Sequence, residues 1–290
     1  MLVAALLSGL VLGGTYALVA MGLTLQYGIS RIMNLAYGEM IIAAAFLAYV
    51  MFSGLGLNPV AGLLIAVPAG FALGYAVYGV MMSPLVKRAR DKASLEIDSI
   101  LATFGLLFVM QGVMLVAFGA NFTSYSYLND PVTIFGTTLA ANRVLALVMA
   151  VVFGGGLYLL LTRTLWGTAL RAVAVNPAAA PLVGIDVNRA ARLAFAIGGG
   201  LAAAGGVVIS MYQTFTATTG VVFTMKALIV VIMGGVGNLI GALSAGLILG
   251  LVETFVATYV DPGLTLAATY GIFLAVLLWR PAGLFGRVAR

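Results

Sequence analysis

An all-α polytopic membrane fold, with about eight to nine transmembrane or partly spanning helices and broken or re-entrant segments, is what three features of this 290-residue sequence predict. Hydrophobic residues make up 63% of it and charged ones only 8%, whereas soluble domains carry roughly 25% charged residues. That is too little charge to cover a water-facing surface. Apolar runs with few or no charges fall at about 2–27, 33–53, 58–82, 99–119, 142–162, 193–212, 239–257 and 264–279, close to the roughly 20 residues that cross a bilayer. Threading these runs alternately through a membrane also sorts the basic residues to one side.

The sorting sets the orientation. With 83–98 and 163–192 on the cytoplasmic side, counting back puts the N-terminus outside and Arg31 inside. Counting forward brings Arg280, Arg287 and Arg290 inside, so that the C-terminus is cytoplasmic. This holds only if the short apolar segment at about 224–236, or some other odd element, also crosses. All but Arg143 and Lys226 of the 14 basic residues then face the cytoplasm. Residues 1–17 have no basic leader and run on without a break, so they read as the first span and not as a cleaved signal. The whole chain, 1–290, reads as one transmembrane domain.

In chain order, Gly9 with Gly13 and Gly70 with Gly74 give small-residue strips for close helix packing inside the subunit. Gly28 and Ser30 interrupt the first run, after which Asn34, Gly38 and Glu39 re-enter the membrane near its cytoplasmic edge. A carboxylate in hydrocarbon is a functional candidate unless it is protonated, reaches water or pairs, here with Arg31. Residues 83–98 carry both signs of charge, including Lys87, Arg88, Arg90, Asp91, Lys92, Glu96 and Asp98, and read as a solvated connector. The polar stretch at about 120–141 is the candidate surface for an extracytoplasmic partner.

Residues 163–192 are the most informative. Arg163, Arg171, Arg189 and Arg192 flank a segment in which Asn176 can cap a first turn, Pro177 suits the next position and Gly184 supplies a stop. A helix of about two turns is expected there. It is too short to span, so it lies on the membrane surface or in a partner's groove and suits transmission of force from a soluble motor. Further on, residues 213–223 hold Gln213, four threonines and Gly220, too polar for a lipid-facing helix. With the break at Gly234, Gly235, Gly237 and Asn238 they mark irregular backbone, which is allowed at membrane depth only inside protein or along an aqueous route. Asn34, Gly38, Glu39, Gly234, Gly235, Gly237 and Asn238 are therefore candidates for the translocation path. Glu253 sits towards the outer face of the span that follows, so it and Glu39 are not expected to share a site.

No Gly-rich loop runs into Lys-Ser/Thr, no familiar nucleophile–base pair or metal-ligand spacing occurs, and there are no cysteines and no histidines. A chain with no catalytic group, no metal site and no bound cofactor of its own must draw the energy for uphill transport from a gradient or from a partner ATPase. Two scattered glutamates suit ion coupling poorly; a structured cytoplasmic segment suits an ATPase. A secondary transporter using Glu39 and Glu253 stays as the rival.

The same residues carry a resemblance. Thr164, Gly167, Arg171, Ala172, Ala174, Asn176, Leu182, Gly184, Ile185, Val187 and Arg189 stand where membrane subunits of ABC importers for branched-chain amino acids have a shared pattern. Residues 34–39, Asn-Leu-Ala-Tyr-Gly-Glu, are similar to the family's Asn-Leu-Ala-His-Gly signature, with Tyr37 in place of histidine. Residues 234–242 and the tail Arg280–Gly286 resemble two further motifs, and length and orientation resemble the shorter, LivH-type permease. The resemblance implies a protein of the bacterial inner membrane that pairs with a second permease. It also implies two cytoplasmic ATPases that use ATP and Mg, and a solute-binding protein outside. Asn176–Ile185 would be the coupling helix; the coupling residues are then Gly167, Arg171, Asn176, Pro177, Ala179, Leu182, Gly184 and Ile185. Related permeases carry urea, short amides or simple sugars, so these cargoes stay beside branched-chain amino acids.

Overall fold

A computed structural model describes residues 1–89, 91–134 and 136–286. Arg90 of the charged connector and Arg287 and Arg290 of the basic tail lie outside the described residues. Among the described residues, eight helices are long and apolar enough to cross a membrane. They are α1 (Leu2–Ser30), α2 (Tyr37–Leu55), α3 (Pro59–Val77), α5 (Lys92–Phe118), α6 (Ala141–Arg163), α8 (Val187–Ser210), α10 (Leu239–Tyr259) and α11 (Thr265–Trp279); α3 runs on into α4 (Ser83–Arg88), and a short 3₁₀ turn leads into α11. Two shorter apolar helices are α7 (Leu165–Val175) and α9 (Gly220–Gly234).

Local chemistry sets most ends. Asn58 accepts a hydrogen bond from Val60 N (2.9 Å) ahead of Pro59, Asp91 and Ser94 form a reciprocal capping box, and Asn238 caps α10 through Gly241 N (3.0 Å). Gly56, at φ 63, ends α2 in the left-handed region. Three boundaries differ from the sequence reading. Most of 83–98 is helical and not an open connector, because α4 continues α3 and the capping box starts α5 early. Helix α8 begins at Val187, where Asp186 accepts from Asn188 N and Arg189 N, so Arg189 and Arg192 belong to its first turns. Helix α9 begins at Gly220, before the purely apolar run. Between α5 and α6 a small antiparallel hairpin pairs β1 (Pro131–Ile134) with β2 (Thr137–Ala140).

Helix α8 is the most completely buried of the long helices and α11 the least. Its glycine and alanine face permits this. A Cβ on Gly199 would run into the carbonyl of Gly70, one on Gly74 into the carbonyl of Phe195, and one on Gly206 into the carbonyl of Ile41. On the other side of the bundle, Gly9 and Gly13 of α1 lie against Gly250, Leu251 and Gly246, Leu247 of α10. Both strips read from the sequence are thus seams within this chain. At its start α8 meets a π-helical turn, Tyr78–Met82, between α3 and α4. Gly79 leaves room there for the Arg192 guanidinium, whose Cζ lies 3.8 Å from the centre of the Tyr75 ring.

The two ends of the bundle differ in charge. Arg31, Lys87, Arg88, Arg163, Arg189 and Arg280 stand at or near helix ends on one side, and the hairpin stands on the other. An antiparallel bridge between Thr123 and Phe215 joins the segment between α5 and the hairpin to the segment after α8. At the basic end the tail folds onto the α9–α10 turn: Leu284 N donates to Met233 O (2.8 Å) and Phe285 N to Gly234 O (3.2 Å). Residues 215–234 therefore run from one end of the bundle to the other, first as a turn and then as a 15-residue helix. The charge sorting requires an odd crossing, and this short apolar helix stands at the position where it would fall.

Replacing Gly199 by Val should lower stability by about 1–3 kcal/mol through overpacking, whereas Gly155→Ala, with open space around it, should be near neutral. Thermal unfolding in detergent compares them; equal midpoints for both would show that the α3–α8 seam is loose.

Candidate functional site

Two helices start in the middle of the bundle. The Tyr37 hydroxyl donates to Gly198 O (3.2 Å), midway along α8, and to Val19 O (2.9 Å), so α2 begins at that depth. Its first turn meets the first turn of α9. Gly38 N donates to Thr224 Oγ1 (2.9 Å), and that hydroxyl donates back to Leu35 O (3.1 Å). Gly38 permits the approach, since a Cβ there would collide with the carbonyl of Gly220. Asn34 is held beside them: its Oδ1 accepts from Ala36 N and its Nδ2 donates to Gln26 Oε1, both at 3.2 Å. Gln26 in turn donates to Phe195 O of α8 (3.2 Å).

Glu39 completes the group. It is fully buried, neither carboxylate oxygen has a hydrogen-bond partner, and the carboxylate lies against Gly220, where a Cβ would overlap it. It does not pair with Arg31 among the described residues. As the third residue of α2 placed against the first residue of α9, it stands where two helix N-termini converge. Helix N-termini carry partial positive charge that favours an anion. Half-helix N-termini of this kind can hold an anionic substrate group; here the Glu39 side chain lies close to that point without bonding an N–H.

The candidate path residues fall into two groups. Asn34, Gly38 and Glu39 gather at the start of α9, and Gly234, Gly235, Gly237 and Asn238 at its finish, about 21 Å away at 1.5 Å per residue. At the finish, Gly234 packs backbone to backbone on Gly241, Gly237 lies against Gly28, and Gly235 (φ 100) faces Gly286. Asn238 Nδ2 donates to Phe285 O (3.2 Å). The glycine motif and the tail motif are thus two halves of one contact.

The segment read as a two-turn helix at 176–184 has a different form. The α-helix lies before it, as α7; Asn176 ends α7 and accepts from Ala178 N and Ala179 N (3.1 Å each), and Ala180–Val183 is a 3₁₀ turn closed by Gly184 at φ 78. Pro181, one residue into the 3₁₀ turn, and the left-handed Gly184 leave no room for a second α-helical turn. Gly167 allows the tight fold of α7 onto α6, because a Cβ would strike Leu160 and Leu161. Leu182 and Val183 are exposed at 87% and 72%, while Ala180 is buried. Ile185 N donates to Ala180 O (3.1 Å), and α8 starts two residues later.

One cluster escaped the sequence reading, which put Lys226 outside and left Glu253 alone. Lys226 Nζ lies 2.9 Å from Glu253 Oε2 inside the bundle. Tyr16, midway along α1, donates to the same oxygen (2.8 Å), Lys226 also bonds the Tyr16 hydroxyl, and Thr269 donates to Glu253 Oε1 (2.6 Å). Four helices are pinned by one neutralised pair, so Glu253 has no free site to carry an ion. A lysine on the same helical run as Thr224, far from any basic cluster, was the available signal. Among the described residues no group of His, Cys, Asp or Glu could hold a metal ion.

With this geometry in place, comparison with known proteins is decisive. The family described as "Branched-chain amino acid transport system / permease component" matches residues 5–279. The chain belongs to that family. This permease is 28% identical to the high-affinity branched-chain amino acid transport system permease protein BraD of Pseudomonas aeruginosa, over 97% of this chain and 95% of that protein. It is 29% identical to the probable branched-chain amino acid transport permease protein LivH of Methanocaldococcus jannaschii, over 93% and 88%. A partial likeness, 35% identity over 57% of this chain and 49% of the relative, is to the autoinducer 2 import system permease protein LsrC of Klebsiella pneumoniae. The permease is a multi-pass protein of the inner membrane.

The Lys226–Glu253 pair makes a direct prediction. Lys226→Met alone should cost about 3–5 kcal/mol, as removing one partner of a buried pair does, and Lys226→Met with Glu253→Met should recover part of it. Thermal unfolding of the single and double variants tests this; a single variant as stable as the parent would remove the pair from the packing argument.

Proposed function

We propose that this permease is the membrane subunit of an ATP-driven importer for branched-chain amino acids. In this reading it works with a second permease subunit, two cytoplasmic ABC ATPases that hydrolyse ATP with Mg, and an extracytoplasmic solute-binding protein. The basic end faces the cytoplasm and the N-terminus lies outside, in accord with the charge sorting. Gly167, Arg171, Asn176, Pro177, Ala179, Leu182, Gly184 and Ile185 form the ATPase-facing element, and the observation that carries the reading is its form. An apolar turn projects Leu182 and Val183 outward, is closed by Asn176 and Gly184, and runs directly into α8, the helix packed most tightly against the rest. A push on that turn reaches the centre of the bundle through one rigid helix.

The half-helix α9 is the proposed wall of the path, with Asn34, Gly38 and Glu39 at its start and Gly234, Gly235, Gly237 and Asn238 at its finish. Discontinuous helices of this kind form the substrate site in many transporters. The mainly apolar faces of α9 suit leucine-like side chains. A second reading, in which the cargo is urea, a short amide or a simple sugar, follows from the family resemblance, and the partial likeness to an autoinducer 2 import permease fits a cargo other than a branched-chain amino acid.

Gly184→Val places a side chain at φ 78 and should distort the turn. In the reconstituted complex, uptake should fall at least about tenfold while ATP turnover continues and affinity for the binding protein is kept; the equivalent barrier is about 1.4 kcal/mol. Normal uptake by this variant would place the coupling contact elsewhere.

A further inference from the structure

A cavity of about 1000 Å³ lies at the basic end, between the last turns of α1 and α6, helix α7, the α9–α10 turn and the tail. Its walls are mostly apolar, including Leu25, Ile29, Leu161 and Ile232, and two cations line it, Arg31 and Arg171. Arg31 ends α1 in the left-handed region, at φ 58, with its N–H bonded to Tyr27 O (2.9 Å). That conformation turns the chain sharply and leaves the guanidinium outside the helix. Neither arginine is in a salt bridge among the described residues; Arg171 reaches only the Thr168 hydroxyl, at 3.4 Å. Deeper in the same cavity, Thr24 Oγ1 is buried without a hydrogen-bond partner.

We propose that this cavity binds one anionic phospholipid of the inner leaflet, with its phosphate between Arg31 and Arg171 and an acyl chain along the apolar wall. Three properties select that occupant. Two unpaired guanidiniums select a phosphate, which each can meet with two N–H donors. The apolar walls select a hydrocarbon tail over a free anion. The position at the ends of spanning helices, on the face crowded with arginine, is where lipid phosphates of the cytoplasmic leaflet lie, and basic pockets between spanning helices on that face hold anionic headgroups. A lipid seated there joins the end of α1 to α7, the helix that leads into the ATPase-facing turn. The site rests on the orientation and not on which cargo is carried.

Photoactivatable phosphatidylglycerol and phosphatidylcholine, each added to the assembled transporter in liposomes, test the site when the labelled peptides are mapped. Phosphatidylglycerol should label peptides spanning 24–31 and 158–175, and phosphatidylcholine should label them at least fivefold less. Arg31→Gln with Arg171→Gln should remove most of that label, Arg31→Lys with Arg171→Lys should keep most of it, and Arg143→Gln, at the opposite end, should leave it unchanged. Equal labelling by both lipids, an unchanged yield in the double Gln variant, displacement by excess inorganic phosphate, or no label because an ATPase segment fills the cavity would each overturn the assignment.

Discussion

Backbone contact between α8 and its neighbours is the constraint on which the rest of the molecule depends. Where Gly199 meets Gly70, Gly74 meets Phe195 and Gly206 meets Ile41, no side chain separates the helices. In a bilayer the apolar effect does little to hold helix to helix, since lipid tails are as apolar as leucine, and close packing takes over that role. A helix half of whose residues are Gly or Ala can lie at the centre with α1, α2 and α3 around it. In the proposed coupling, packing on all sides holds this helix straight, so that displacement at Val187 would be carried along its length.

The polar groups in the interior follow from the second constraint, that backbone at membrane depth must be satisfied within the protein. Helices α2 and α9 start in mid-bundle, and each start leaves N–H groups without intrahelical acceptors. Thr224 serves one of them, and the Thr216–Thr219 turn satisfies its own hydroxyls, with Thr216 Oγ1 and Thr219 Oγ1 2.8 Å apart. Glu39 places its carboxyl group where the two starts meet. The Lys226–Glu253 pair performs a different task, tying the half-helix α9 to α10, α1 and α11. Burial therefore has two meanings for the two glutamates: one answers helix ends, the other answers a lysine.

Much of the fold was legible because its cause is one-dimensional. Run length and apolar composition were enough to find the eight long helices, and the parity of the charge sorting pointed to a further element near 224–236. The small-residue strips at Gly9–Gly13 and Gly70–Gly74 were legible as seams, though not their partners. Less legible was anything set by contact across the chain. Lys226 reads as a residue near a span end until Glu253, 27 positions later, is seen beside it. Asn176 and Gly184 were correctly read as a cap and a stop, yet helix periodicity could not tell two α-turns from a 3₁₀ turn containing Pro181. The motifs at 234–242 and 280–286 were each visible, but only folding shows that they grip one another.

With no native cysteine in the chain, spin labels at Leu182→Cys and Phe122→Cys, both exposed positions at opposite ends of the bundle, report the central claim most directly. Their distance distribution in the assembled transporter should shift by at least about 2 Å, the scale of helix shifts in switching proteins, when ATP is added with binding protein and cargo. An unchanged distribution during ATP hydrolysis and uptake would contradict the account, because the turn would then not be the part that moves α8.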